Sequence, residues 1–114
     1  MTEPRSERLH GTLDMLVLRV LSNGPLHGYA IAQELRQLGG EVLQIEQGSL
    51  YPALYRLEDR GWLRSRWGIS EKNRRARVYQ LTRAGRKQLA AEVAGWREFV
   101  SAIGKVVGAS EGTR

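Results

Sequence analysis

A chain of 114 residues, 41% apolar and 26% charged, has the size and balance of one soluble globular domain and no room for a second full core. It has no cysteine, which excludes disulfides and thiolate zinc sites, and no stretch approaches the roughly 20 apolar residues that span a bilayer. The net charge of +6 is concentrated: Arg60 to Lys87 carries ten Lys/Arg against the single acid Glu71, a local +9 that leaves the remainder at −3, as in a polyanion-binding surface.

Met1 to His10 is charged and lacks the apolar core of an export signal. Residues 1–11 are therefore expected as a flexible arm, and the chain as a cytoplasmic protein away from membranes. Thr12 predicts the N-cap of a first helix over Leu13–Leu21, stopped by Ser22-Asn23-Gly24-Pro25. At about 100° per residue Leu13, Leu16, Val17, Val20 and Leu21 share one face. Met15 and Leu18 project from the other side with Arg19 beside them, so a second partner is expected to cover that side.

A second helix is predicted from His27 or Gly28 to Leu38, with Tyr29, Ile31, Ala32 and Leu35 inward and Gly39-Gly40 as its stop. Val42, Leu43 and Ile45 form a brief apolar linker or strand. The third helix opens with Ser49 as N-cap and closes at Gly61, which puts Pro52 in the first turn, where no intrahelical N–H is required. Leu50, Leu54 and Leu57 make its inward stripe; Pro52, Tyr55, Arg56 and Asp59 point away from it, with Ser49 and Tyr51 on the flanks.

Trp62–Trp67 alternates as a strand, Gly68–Arg75 is a polar loop, and Ala76–Leu81 alternates again, making a hairpin with a cationic tip. Thr82 caps a last helix running to about Val107. Its apolar residues Leu89, Val93, Trp96, Val100, Ile103 and Val107 recur at spacings of 4, 3, 4, 3 and 4, a heptad-like seam that Phe99 and Val106 widen. Residues 108–114 are expected to fray.

The predicted fold is therefore mainly α with a small β-hairpin: a winged helix-turn-helix domain over 12–81 and a dimerisation helix over 82–107. In that fold the third helix enters a major groove, which is wide enough to admit it. Ser49 can then bind phosphate near the helix N-terminus, and Arg56 can reach guanine or phosphate. Tyr51 and Tyr55 offer a ring to base or sugar and a hydroxyl to phosphate, although Tyr51 packed against the hairpin with only its hydroxyl showing is an equal alternative. Lys72, Asn73, Arg74, Arg75 and Arg77 form the wing, aimed at phosphates or a narrow minor groove. Arg64 and Arg66 are expected to face solvent.

The seam of the last helix either folds back on its own domain or pairs with a second copy, and pairing is favoured. Two recognition helices would then stand about one DNA turn or more apart, on a palindromic operator. Two copies of Trp96 near a twofold axis, neighboured by Met15 and Leu18, either line a pocket for a flat aromatic ligand or form plain dimer core. Arg19 at the rim favours anions.

The only histidines are His10 and His27, and no Gly-rich phosphate loop, metal-spaced ligand cluster or nucleophile–base–orienter trio is present. The chain is read as a binding protein without catalytic, metal or cofactor sites. The alternative to an operator-binding regulator is a winged-helix module that binds protein or RNA.

Three motifs in order carry a family resemblance: Pro25-Leu26-His27-Gly28-Tyr29, Gly48 through Glu58 (GSLYPALYRLE), and Arg77 through Gly85 (RVYQLTRAG). With them the chain resembles the PadR-like transcription regulators, and its single C-terminal helix resembles their short-chain branch, some of which sense drugs. The resemblance implies a homodimeric repressor released by a small ligand, and it adds His27 and Tyr29 to the DNA-contact set. It also implies pocket residues at Met15, Arg19, Trp96 and Val100. Val100 stands where drug-sensing relatives can have an acid, which removes a partner for cationic drugs.

Overall fold

The computed structural model describes residues 4–39, 47–70 and 72–108. Helix α1 (Pro4–Leu21) leads to strand β1 (Leu26–His27), helices α2 (Gly28–Gly39) and α3 (Gln47–Asp59), strands β2 (Leu63–Ile69) and β3 (Arg75–Leu81), and helix α4 (Arg83–Val107). The expected class holds, with one addition. Leu26 and His27 pair antiparallel with Tyr79 and Val78, turning the hairpin into a three-stranded sheet of order β1-β3-β2. A two-residue strand shows no alternation, so its local sequence could not announce it. The apolar Val42–Ile45 segment lies outside the described residues.

Helix α1 starts at Pro4, well before the expected cap at Thr12, so most of the supposed arm is helical. Proline fits the first helical position because its φ is preset and no N–H partner is needed there. The two-sided apolar character of α1 is satisfied within the chain, since α2, α3, α4 and β3 all pack against it. Leu18, expected on a spare face, is fully buried in the core together with Val17 and Leu21. Ile31 and Leu35 of α2, Leu50, Leu54 and Leu57 of α3, and Leu63, Tyr79 and Leu81 of the sheet complete that core. Each such side chain contributes about 1.5–3 kcal/mol relative to exposure.

Helix α3 also starts earlier than its cap signal suggested. Gln47 opens it, so Ser49 lies in the first turn and Pro52 in the second. There Pro52 removes the bond that an N–H would donate to the carbonyl of Gly48, an exposed position that water can reach.

The strands are longer than their alternation suggested and the loop is shorter. Asn73 makes the tight turn at φ 62°, a left-handed conformation that asparagine tolerates. Its N–H donates to the Ser70 carbonyl at 2.9 Å, and Ser70 N–H donates to the Arg74 carbonyl at 2.8 Å. Arg75 therefore belongs to β3, opposite Ile69.

Thr82 caps α4 as expected: its hydroxyl accepts from Gly85 N–H at 3.0 Å and donates to the Gly61 carbonyl at 2.7 Å. Gly85 has to be glycine because a Cβ would collide with the Trp62 carbonyl. Leu89 packs against the core and Val93 is half-buried, but Trp96, Phe99, Val100, Ile103 and Val107 are exposed beyond the body. Among the described residues no helix is long and apolar enough to cross a membrane.

Candidate nucleic-acid interface

The β2–β3 register sorts the wing side chains. Leu63 pairs with Leu81, Ser65 with Tyr79, Trp67 with Arg77 and Ile69 with Arg75. With a side-chain period of two, these eight share one face, while Arg64 and Arg66 project from the other, exposed as expected. The inner end of the shared face is core and its outer end becomes groove wall.

That outer end faces α3 across a concave cleft of about 540 Å³. Tyr51 and Tyr55 of α3 form one wall, and Trp67, Lys72, Arg74, Arg75 and Arg77 of the wing form the other. His27 and Tyr29, at the start of α2, close one end. Eight of the twelve residues expected to contact DNA thus line one surface. Tyr55 is 61% exposed and Tyr29 48%, so both rings are available to a partner.

Tyr51 lines the cleft, and the packing it makes is on α2 rather than on the hairpin. Its ring lies over Gly28 of α2, where a Cβ would stand 2.7 Å from the hydroxyl oxygen. Gly28 is what admits the ring. The His27 Nδ1 accepts the Ala30 N–H at 3.4 Å, so this histidine caps α2 as well as lining the cleft.

Arg56 is the main departure. Its Nη2 donates to Asp14 Oδ1 of α1 at 2.7 Å, and Asp14 is buried. The guanidinium points back across the domain and pins α3 to α1, instead of lining the cleft with the tyrosines. Ser49, Pro52 and Asn73 are exposed but lie outside the residues that form the cleft walls.

Three further side chains organise the site. Glu58 of α3 accepts the Ser65 hydroxyl at 2.7 Å and lies 3.9 Å from Arg77, tying the recognition helix to the wing. The Trp67 ring carries the Arg75 guanidinium 4.6 Å from its centroid and that of Arg77 at 5.2 Å. Buried Tyr79 forms part of the cleft floor. Its phenol is held above the ordinary pKa, first by burial and then by neighbouring Tyr55 and Glu58. Alternation from Leu63 places Trp67 on the inward parity, a usable signal for its face, but only the register shows which arginines it meets.

The residues expected around a ligand do not form one exposed group. Leu18 is core, Met15 is buried, and the exposed Arg19 donates to Ser22 Oγ at 2.8 Å. Trp96 is 41% exposed, its ring centroid 5.9 Å from that of Phe99.

A helix pair whose second member faces a basic, three-stranded wing defines a winged helix-turn-helix DNA-binding fold. The chain belongs to the transcriptional regulator PadR-like family, whose sequence model matches residues 17–91. It is 33% identical over 98 residues to the transcriptional regulator Rv3488 of Mycobacterium tuberculosis, covering 77% of this chain and 88% of that one. The crystal structure of a PadR family transcriptional regulator from Eggerthella lenta is similar at a TM-score of 0.75 and 33% identity, over 93% of this chain and 91% of the other. A transcriptional regulator from Clostridium thermocellum reaches a TM-score of 0.77 at 28% identity, over 92% and 97% of the two chains. The protein is a transcriptional regulator, not an enzyme.

Proposed function

We propose that the chain acts as a homodimeric repressor that reads a palindromic duplex operator through the α3–wing cleft. The observation that carries this is the convergence of Tyr29, Tyr51 and Tyr55 with Lys72, Arg74, Arg75 and Arg77 on one concave surface. The tyrosines offer flat rings to base edges and sugars. The cations offer charge to phosphates, which fixes register along the duplex. A module that binds another protein would not need rings and cations together on one groove-shaped wall.

The seam of α4 supports pairing with a second copy. Trp96, Phe99, Val100 and Ile103 are between 39% and 47% exposed, more apolar surface on one helix than an isolated subunit normally leaves to water. Two such helices packed together would bury it and fix the distance between the two clefts. For release we propose a small planar aromatic anion held near the paired Trp96 and Val100, with Arg19 at the rim. Occupancy there would alter the α4 pairing and so the spacing of the clefts.

Selection of bound duplexes from a random pool tests the operator reading, and an enriched palindrome is expected. Arg74→Ala should then lower the slope of log K against log salt by about 0.9 for each phosphate the side chain had neutralised. Enrichment of no sequence would favour the protein- or RNA-binding alternative. Quenching of tryptophan emission by planar aromatic acids, abolished in Trp96→Leu, tests the ligand.

A further inference from the structure

We infer that Trp67 is a positioning residue for operator binding: its indole holds the Arg75 and Arg77 guanidiniums on the groove side of the wing before DNA arrives. This rests on the DNA-binding reading above and adds to it a residue that lies outside all three family motifs.

The register explains the arrangement. Trp67 lies directly opposite Arg77, and Arg75 is its diagonal neighbour two residues along β3, within reach of a large ring. Both guanidiniums lie close enough to the ring centroid for cation–π attraction. Arg77 is also drawn toward the Glu58 carboxylate, 3.9 Å away, so it is held from the ring on one side and from α3 on the other. All three wing residues line the cleft.

A free arginine samples many rotamers and loses that freedom when it binds a phosphate. An arginine already lying on an indole has lost most of it. Trp67 is 55% exposed, so it contributes little to the core, and a surface indole beside cationic side chains is explained by what it holds. The indole face attracts a guanidinium without neutralising it, so it orders Arg75 at full charge, whereas Arg77 also has the Glu58 carboxylate 3.9 Å away.

The test is a cycle of variants in which binding to a labelled mixed-sequence duplex about three helical turns long is followed across a salt series. Trp67→Ala should weaken binding about tenfold with little change in salt slope, because the arginines still reach phosphates but must be ordered first. Trp67→Phe, which keeps a ring, should recover much of that loss. In an Arg75→Ala/Arg77→Ala background, Trp67→Ala should change nothing further. In the free protein, the Arg75 and Arg77 Nε–H resonances should lose an upfield ring-current shift in Trp67→Ala. An equal loss in both backgrounds would mean that Trp67 touches DNA itself or supports the fold, and would overturn the inference. Unchanged binding by Trp67→Ala, with a wild type that binds, overturns it alone. A wild type that binds no duplex overturns the DNA-binding reading and this inference together.

Discussion

Replacing Arg56 by alanine should destabilise the fold far more than it alters sequence preference. The change strands Asp14, a carboxylate 5% exposed whose partner is the Arg56 guanidinium at 2.7 Å. A hydrogen bond to a charged group is worth about 1.5–3 kcal/mol. Leaving a fully buried charge without its partner costs about 3–5 kcal/mol. The Arg56 side chain is one-third exposed, so truncation opens a path for water to the carboxylate and brings the cost below that of full burial. We expect a decrease of about 2–3 kcal/mol, a large share of the roughly 5–15 kcal/mol that holds a domain of this size.

At about 4 °C per kcal/mol, the midpoint of thermal unfolding should fall by about 8–12 °C, followed by circular dichroism at fixed protein concentration. Asp14→Ala should cost less, because the partly exposed guanidinium it leaves can turn to solvent. Asp14→Asn combined with Arg56→Ala should regain part of the stability by removing the stranded charge. An Arg56→Ala protein that melts within about 2 °C of wild type yet loses preference among operator bases would refute this reasoning. It would return Arg56 to the set of base readers.

Tyr79 should make stability fall on the alkaline side. Its folded pKa lies above the ordinary value of 10.0, so its contribution is complete below pH 10 and disappears as pH rises through the folded value. Tyr79→Phe should flatten the decline in unfolding free energy above pH 10, and parallel curves for the two proteins would contradict the assignment. Gly85→Ala and Gly28→Ala should part company. The first drives a methyl into the Trp62 carbonyl, which cannot move cheaply, and should cost about 1–3 kcal/mol or more in urea unfolding. The second meets only the far end of the Tyr51 side chain, so stability should hardly change while DNA affinity drops as the ring is pushed aside. Ile103→Asp, on the exposed outer half of α4, should shift sedimentation toward the monomer and remove the dependence of the unfolding midpoint on protein concentration.

Much of the molecule is legible residue by residue. The stripe Leu50, Leu54, Leu57 becomes the buried side of α3, and the middle of the basic stretch, Arg64 to Arg77, becomes the wing, while Arg83, Arg86 and Lys87 fall on α4. The three motifs Pro25 to Tyr29, Gly48 to Glu58 and Arg77 to Gly85 together point to the family. The element starts were less legible. Ser49 has the chemistry of a cap and Thr12 likewise, but α3 and α1 begin upstream of both, because a capping residue is a preference of a few tenths to about 2 kcal/mol that neighbouring turns can override.

Sequence alone determined what depends on neighbours a few positions apart: the helical and alternating periods, the Thr82 cap, and the segregation of positive charge. These follow from backbone geometry acting within a turn or a strand. Tertiary structure alone decided which distant residues meet. Asp14 finds Arg56 forty-two positions away, β1 joins β3, Leu18 turns out to be core, and Trp67 stacks under Arg75 and Arg77. Each of those meetings depends on how whole elements pack and in what register, and a periodic pattern is silent on both.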